Sequence, residues 1–220
     1  MVTSTQTVEK PTLLYRGAHV LMRLIVKLIT RFHLAGAENL PLTGPAILVT
    51  NHLHRFDAVV VVAVVPRQVT TFAADKYKHD PFFGPLLQLF GHPIWVARGE
   101  PDRHALREAL AALDRGELLG VAPEGTRSHT GALQQGHDGA AYLAARTGVP
   151  LIPMVAWGQE LVITELLHLR RPAVHVVVGA PIVLPPEAHQ ARSAQLTCYT
   201  EQIMRTMAAM MPEQYRGVYR

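Results

Sequence analysis

Short apolar runs that alternate with helix-forming segments constrain the fold of this chain more than any other feature. The apolar runs predict buried strands at residues 46–50, 70–74, 94–97, 118–122, 151–156 and 174–178. Helical patterns or helix start and stop signals occur between or after them, at residues 58–65, 80–89, 102–115, 139–147 and 193–211. Strands that alternate with helices favour an α/β fold, with a largely parallel sheet of six to seven strands flanked by helices.

Two polar stretches directly follow predicted strands. Residues 51–57 read Asn-His-Leu-His-Arg-Phe-Asp after the strand at 46–50, and residues 123–128 read Pro-Glu-Gly-Thr-Arg-Ser after the strand at 118–122. Open α/β sheets bind their ligands outside the carboxyl ends of the strands. Both stretches are therefore candidates for the functional site.

The spacing of His52 and Asp57 restricts how their side chains can meet. Five residues of a regular helix turn through roughly 500°, which leaves the two side chains about 140° apart. They can meet if His52 lies in a strand-to-helix turn and Asp57 opens the helix that follows. A carboxylate that binds one imidazole nitrogen leaves the other free to act as a base. Since the stretch contains no Ser or Cys, the predicted nucleophile is a hydroxyl group of the substrate.

The pattern His52-x-x-x-x-Asp57, followed by Glu124-Gly125-Thr126-Arg127, resembles the glycerolipid acyltransferase family, which includes the lysophosphatidic acid acyltransferases. Residues 96–99 (Val-Ala-Arg-Gly) and 149–153 (Val-Pro-Leu-Ile-Pro) resemble two further blocks of that family. The blocks occur in the family order and cover about residues 45 to 158.

The resemblance implies an enzyme of lipid metabolism, with His52 as general base and Asp57 as the group that orients it. A lysophospholipid hydroxyl would attack the thioester of acyl-CoA or acyl carrier protein, with no cofactor and no metal. The first acceptor implied is lysophosphatidate, which would become phosphatidate. The resemblance implies substrate-binding roles for Arg98, Glu124, Gly125, Thr126 and Arg127, and its positive charge suggests such a role for Lys76.

The residue chemistry leaves two questions open. Arg127 can bind a phosphate through two hydrogen bonds, whereas Glu124 beside it can either pair with that arginine or orient a hydroxyl. The family usually carries lysine after the block, but residues 136–139 read Gly-His-Asp-Gly. Lys76 is the candidate that would replace the missing positive charge, and the acceptor head group stays open.

Some features of the sequence also bear on other functions. His52, His54 and Asp57 approach the pattern of binuclear metal hydrolases, but the Asp lies one residue too far along and no His follows it, so no metal is expected. An acyltransferase for another lysolipid and a non-catalytic lipid-binding membrane module remain alternatives. Nucleic-acid binding is not expected, because basic residues concentrate near the amino terminus and aromatic residues make up only 6%.

The segment 13–33 is predicted to be an amphipathic helix. Its basic residues recur at nearly every turn and lie within an arc of about 120° opposite a Leu/Ile face. The charges argue against a membrane-spanning helix and favour one in the membrane interface, although packing on the chain's own domain is the other reading. Residues 1–35 are thus predicted to be a membrane-association segment and 36–220 the α/β domain. A net charge of +4 and a single cysteine, Cys198, fit an anionic membrane surface on the cytoplasmic face.

Overall fold

The computed structural model describes residues 13–81, 83–97 and 103–220. Its strands are β1 Arg31–Ala35, β2 Ala46–Thr50, β3 Val69–Ala74, β4 Gly91–Val96, β5 Leu118–Val121, β6 Leu151–Trp157 and β7 Ala173–Val178. Its α-helices are α1 Leu13–Ile29, α2 Asp57–Val64, α3 Phe83–Phe90, α4 Arg103–Asp114, α5 Gly139–Thr147, α6 Val162–Leu167 and α7 Ser193–Ala209.

Within these ranges the strands form one seven-stranded sheet in the order β1-β7-β6-β2-β5-β3-β4. The strands β2 to β6 run parallel to one another. At one edge β7 runs antiparallel to β6, and β1 runs parallel to β7. The sheet with helices on both faces confirms the predicted α/β class.

The prediction missed two elements, β1 and α6, and it ran the first helix on to residue 33. The helix ends at Ile29, and the Arg31 N–H donates instead to the Pro172 carbonyl at 2.8 Å, which starts the pairing of β1 with β7. Because β1 is an edge strand with four of its five residues exposed, it has no apolar run to reveal it. The sheet therefore includes residues 31–35, which the prediction had assigned to the membrane-association segment.

The two faces of the sheet carry separate hydrophobic cores. Because side chains alternate along a strand, Ile47 and Leu48 of β2 point to opposite faces. Ile47 belongs to the core shared with α4, α5 and α7, and Leu48 to the core shared with α2. The helix α2 is rich in β-branched valine, which favours strands, yet it is helical because Val60 and Val64 pack into the second core.

The helix α1 packs on the domain through one side only. Tyr15 and Val26 are buried, and the His19 ring nitrogen Nε2 lies 3.0 Å from the Val65 carbonyl oxygen at the end of α2. The opposite side exposes a set of large apolar residues, which are Leu13, Leu14, Val20, Leu21, Leu24, Ile25 and Leu28. In the described part of the chain, every helix is too short or too polar to cross a bilayer.

Candidate active site

Three neighbouring parallel strands deliver the candidate residues to one edge of the sheet. β2 lies between β5 and β6, with Val49 opposite Val121 on one side and Thr50 opposite Met154 on the other. His52 follows β2, Glu124 follows β5 and Gln159 follows β6. The carboxyl ends of these strands therefore bring the three side chains to one place.

His52 and Asp57 are in direct contact across the turn that the spacing required. His52 Nδ1 lies 2.8 Å from Asp57 Oδ2, and Asp57 is the first residue of α2. The His54 backbone N–H donates to both carboxylate oxygens, at 3.2 and 3.0 Å, which holds the turn in shape. The His52 side chain is 35% exposed, and no described residue hydrogen-bonds to its Nε2. That nitrogen is available to a substrate.

Gln159 holds the second oxygen of the Asp57 carboxylate. Its Nε2 donates to Asp57 Oδ1 at 2.9 Å and approaches the Ala156 carbonyl at 3.4 Å. Gln159 is buried, and its own Oε1 has no partner among the described residues. The sequence analysis missed Gln159; the one local signal is a polar residue just after the apolar strand β6, and it does not show that β6 lies beside β2.

Glu124 supports the backbone of His52 instead of pairing with Arg127. Its Oε1 accepts the His52 backbone N–H at 2.8 Å, and its Oε2 accepts the Gln134 backbone N–H at 3.0 Å. Glu124 is only 2% exposed, and this burial raises the pKa of its carboxyl above 4.5, against the opposing effect of the two N–H donors. The suggested ion pair is therefore wrong, because both oxygens point at backbone amides. A direct contact with substrate stays a prediction.

The rest of the loop after β5, residues 123–128, also binds His52 and is called the Glu124 loop. The Ser128 backbone N–H donates to the His52 carbonyl at 2.7 Å, so one loop binds both backbone polar groups of His52. Gly125 enables the turn with a φ of 66°, and a Cβ there would lie 3.2 Å from the His137 ring. This conformation favours glycine because other residues meet steric strain in it.

Two of the predicted anion-binding residues lie in the same loop. Thr126 is exposed, and Arg127 is half-buried with no hydrogen bond or ion pair to any residue that the structure describes. A guanidinium that no described residue binds, in the loop that holds His52, is available to an anionic group. Its planar array of donors suits a phosphate.

The remaining predicted residues lie elsewhere. Lys76 is exposed in a short 3-10 helix after β3, with its Nζ 4.9 Å from the centre of the Tyr77 ring. Within the described ranges no hydrogen bond or ion pair joins it to His52 or Asp57. Arg98 lies outside the described residues. Asp138, the acidic departure noted in the sequence, accepts hydrogen bonds from Thr197 at 2.9 Å and Thr200 at 2.7 Å, which ties it to α7.

Asn51 is a further residue that the sequence analysis did not assign. Its side-chain Nδ2 donates to the Ala156 carbonyl and its Oδ1 accepts the Ala156 N–H, both at 2.8 Å. The amide thus extends the pairing of β2 with β6 beyond the end of β2. It fixes the point at which the His52 turn begins.

The described residues contain no group of three or more His, Cys, Asp or Glu side chains that could hold a metal ion. What they do contain is an oriented imidazole whose Nε2 has no described partner, and a guanidinium, also without a described partner, in the loop that binds the backbone of His52. This arrangement can remove a proton from a hydroxyl group of an anionic molecule.

Comparisons with known proteins also indicate an acyltransferase. The family model described as Acyltransferase matches residues 31–157. A 1-acyl-sn-glycerol-3-phosphate acyltransferase of Cocos nucifera is 32% identical over 119 residues, which cover 53% of this chain and 38% of that protein. The protein of the same name from Bacillus subtilis is 23% identical over 193 residues, covering 86% of this chain and 92% of that protein.

A solved structure shares the fold. The 1-acyl-sn-glycerophosphate (LPA) acyltransferase PlsC from Thermotoga maritima superimposes with a TM-score of 0.66 at 22% identity, covering 89% of this chain and 79% of that one. The chain spans only 38%, 43% and 42% of the length of three of the curated relatives. Together the matches confirm the resemblance seen in the sequence motifs.

Proposed function

The chain belongs to the acyltransferase family, and from this premise we propose that it transfers an acyl chain from a thioester to the free hydroxyl of a lysophospholipid. The acyl donor is acyl-CoA or acyl carrier protein. Several curated relatives carry the name 1-acyl-sn-glycerol-3-phosphate acyltransferase, which supports lysophosphatidate as the acceptor and phosphatidate as the product. The single observation that carries the proposal is the 2.8 Å contact between His52 Nδ1 and Asp57 Oδ2.

In the proposed reaction the Nε2 of His52 takes the proton of the acceptor hydroxyl. The hydroxyl oxygen attacks the thioester carbonyl carbon, and the tetrahedral intermediate then expels the thiolate, which takes the proton back from His52. Asp57 stabilises the imidazolium that exists between these steps. General-base catalysis of this kind contributes about 10²- to 10⁴-fold to a rate. The two substrates exchange the acyl group directly, so no covalent intermediate with the enzyme forms.

The anionic head group is proposed to bind at the Glu124 loop. Arg127 supplies the charge, while Gly125 and Thr126 form the exposed part of the loop around it. Arg98 and Lys76 remain the sequence-based candidates for further positive charge. Glu124 acts through His52, whose backbone it holds.

The reaction is proposed to occur on the cytoplasmic face of a membrane, to which the protein binds peripherally. The exposed apolar side of α1 supports this, because a helix with an apolar face beside the basic residues Arg16, Arg23 and Lys27 is typical of the membrane interface. The basic residues attract anionic lipids. This location brings the enzyme to the surface where its acceptor resides.

The test is a transfer assay with purified protein, radiolabelled acyl-CoA or acyl carrier protein, and a panel of lysolipids that differ in head group. Transfer to lysophosphatidate in preference to neutral lysolipids is expected, with no loss of rate in the presence of a chelator. Absence of transfer to every acceptor from either donor would contradict the proposal and leave a lipid-binding module. Loss of activity with chelator would support a metal enzyme instead.

A further inference from the structure

A second group of exposed apolar side chains lies far from α1 in sequence. Leu161, Ile163, Leu167 and Leu169 are all exposed, and Leu167 and Leu169 reach 79% and 97%. Val162 and Leu166, four residues apart on α6, pack into the core, which turns Ile163 and Leu167 outward. Residues 161–171 are called the α6 patch.

The most exposed of these residues also has an unfavourable backbone. Leu169 has a φ of 57°, in the left-handed region that residues with a Cβ adopt at a cost. A glycine or asparagine would suit this turn better, and an almost fully exposed leucine side chain adds nothing to the core. The folded chain alone therefore does not account for a leucine at this position.

Positive charge accompanies the α6 patch and connects it to α1. Arg170 is exposed, and one terminal nitrogen of Arg171 donates to the Lys27 carbonyl at 2.7 Å and the Thr30 carbonyl at 2.6 Å. The patch thus meets the carboxyl end of α1, next to the exposed Leu28. Apolar side chains beside arginine and lysine are complementary to an anionic lipid bilayer, with acyl chains below and phosphates above.

The patch also begins close to Gln159, a residue that contacts the catalytic pair. Leu161 follows Gln159 by two residues, and the Gln159 amide binds the Asp57 carboxylate. We propose that the α6 patch is a second membrane-docking surface, which binds an anionic bilayer together with α1. The inference rests on the proposed function and extends it. The acceptor would keep its acyl chain in the bilayer while its hydroxyl reaches His52.

The experiment measures binding of the full chain to vesicles of phosphatidylcholine, with and without phosphatidylglycerol, by co-sedimentation in the absence of substrate. The double variant Leu167→Asp/Leu169→Asp is expected to bind anionic vesicles at least about tenfold more weakly, since each leucine loses its burial in the bilayer. The matched control is Leu42→Asp, which changes a leucine 74% exposed in the loop that leads into the amino end of β2, whereas the α6 patch follows the carboxyl end of the neighbouring parallel strand β6. The control is expected to bind as the unchanged protein does.

A second variant separates charge from apolar burial. Arg170→Ala is expected to weaken binding to anionic vesicles about fivefold, which corresponds to about 1 kcal/mol per charge near the surface, and to leave binding to neutral vesicles unchanged. Unchanged vesicle binding of the leucine double variant would overturn the proposal. The proposal would also be overturned if the unchanged protein self-associated in the absence of vesicles and the double variant did not, because the patch would then bind a second copy of the chain.

The two proposals fail in different ways. Because binding is measured without substrate, absence of acyl transfer in the unchanged protein contradicts the proposed function and leaves the docking result to stand. Transfer to a short-chain, water-soluble acceptor is expected to be the same in the double variant and the unchanged protein. Transfer to a vesicle-embedded acceptor is expected to fall in the double variant together with binding. Full activity of that variant on the embedded acceptor would contradict the docking surface alone.

Discussion

Replacing Gln159 by leucine tests how the carboxylate of Asp57, the proposed partner of the catalytic base, is held in place. The change keeps a side chain of similar size and removes the N–H that donates to Asp57 Oδ1 at 2.9 Å. A hydrogen bond to a charged group contributes about 1.5–3 kcal/mol. The His54 N–H at 3.2 Å remains on the same oxygen, so the loss is expected at the lower end of that range. Because about 1.4 kcal/mol corresponds to a tenfold change in rate, kcat should fall about tenfold.

The stability of the same variant should change little. Gln159 Oε1 is buried without a described partner, which costs the folded state about 1–3 kcal/mol, and leucine removes that cost along with the useful N–H. The expected result is thus a lower kcat at an unchanged acceptor KM and a nearly unchanged free energy of unfolding. A merely structural residue would instead lower stability and activity together.

The assay is steady-state acyl transfer at varied acceptor concentration, alongside chemical denaturation. Gln134→Leu is the matched control, because Gln134 also has a buried side-chain nitrogen without a described hydrogen-bond partner, and the variant keeps the backbone N–H that binds Glu124. The control should keep the kcat of the unchanged protein. If Gln159→Leu also keeps kcat within about twofold, Gln159 does not position Asp57.

Three further predictions follow from the Glu124 loop. Arg127→Ala should raise the acceptor KM about tenfold with little change in kcat. Arg55→Ala, which changes an exposed arginine, should leave that KM unchanged. An unchanged acceptor KM in Arg127→Ala would contradict the proposed phosphate contact. Because burial raises the pKa of the Glu124 carboxyl, the folded protein binds a proton there more tightly than the unfolded chain does, so the contribution of Glu124 to stability falls as the pH rises between the two pKa values. The stability advantage of the unchanged protein over Glu124→Gln, measured by denaturation, should therefore shrink from acid towards neutral pH, and an advantage that grows contradicts this. Gly125→Ala and Gly131→Ala both place a side chain at a positive φ, and each should cost about 1–2 kcal/mol of stability. The first should reduce transfer more than the second, since Gly125 directly follows Glu124, which binds the His52 N–H. Equal activities of the two variants would show that the conformation of Gly125 does not affect catalysis.

The central strands β2, β5 and β6 were predictable because each is an almost continuous apolar run in a sheet covered on both faces. The exposed edge strand β1 was not, because its residues Arg-Phe-His-Leu-Ala give no such run. The segment α6 was missed for a related reason: only Val162 and Leu166 of its six residues face the core, so its apolar residues show no single-sided pattern.

For the site, the contact between His52 and Asp57 followed from local spacing and was predictable. The role of Gln159 was not, because it depends on β6 lying next to β2, and strand order is not written in any local pattern. The same holds for Glu124, whose carboxylate binds a backbone N–H 72 residues away in the chain. The sequence suggested an ion pair with Arg127 or a contact with a hydroxyl group, and neither of these roles involves the backbone of His52.

Acyl transfer by His52→Ala tests the central claim most directly. The imidazole is the proposed base, so its loss should lower the rate of transfer from radiolabelled acyl-CoA to lysophosphatidate by about 10²- to 10⁴-fold. Folding and vesicle binding should be retained, since the backbone groups of residue 52 that bind Glu124 and Ser128 remain. A purified, folded His52→Ala protein that turns over within about tenfold of the unchanged protein would contradict the account.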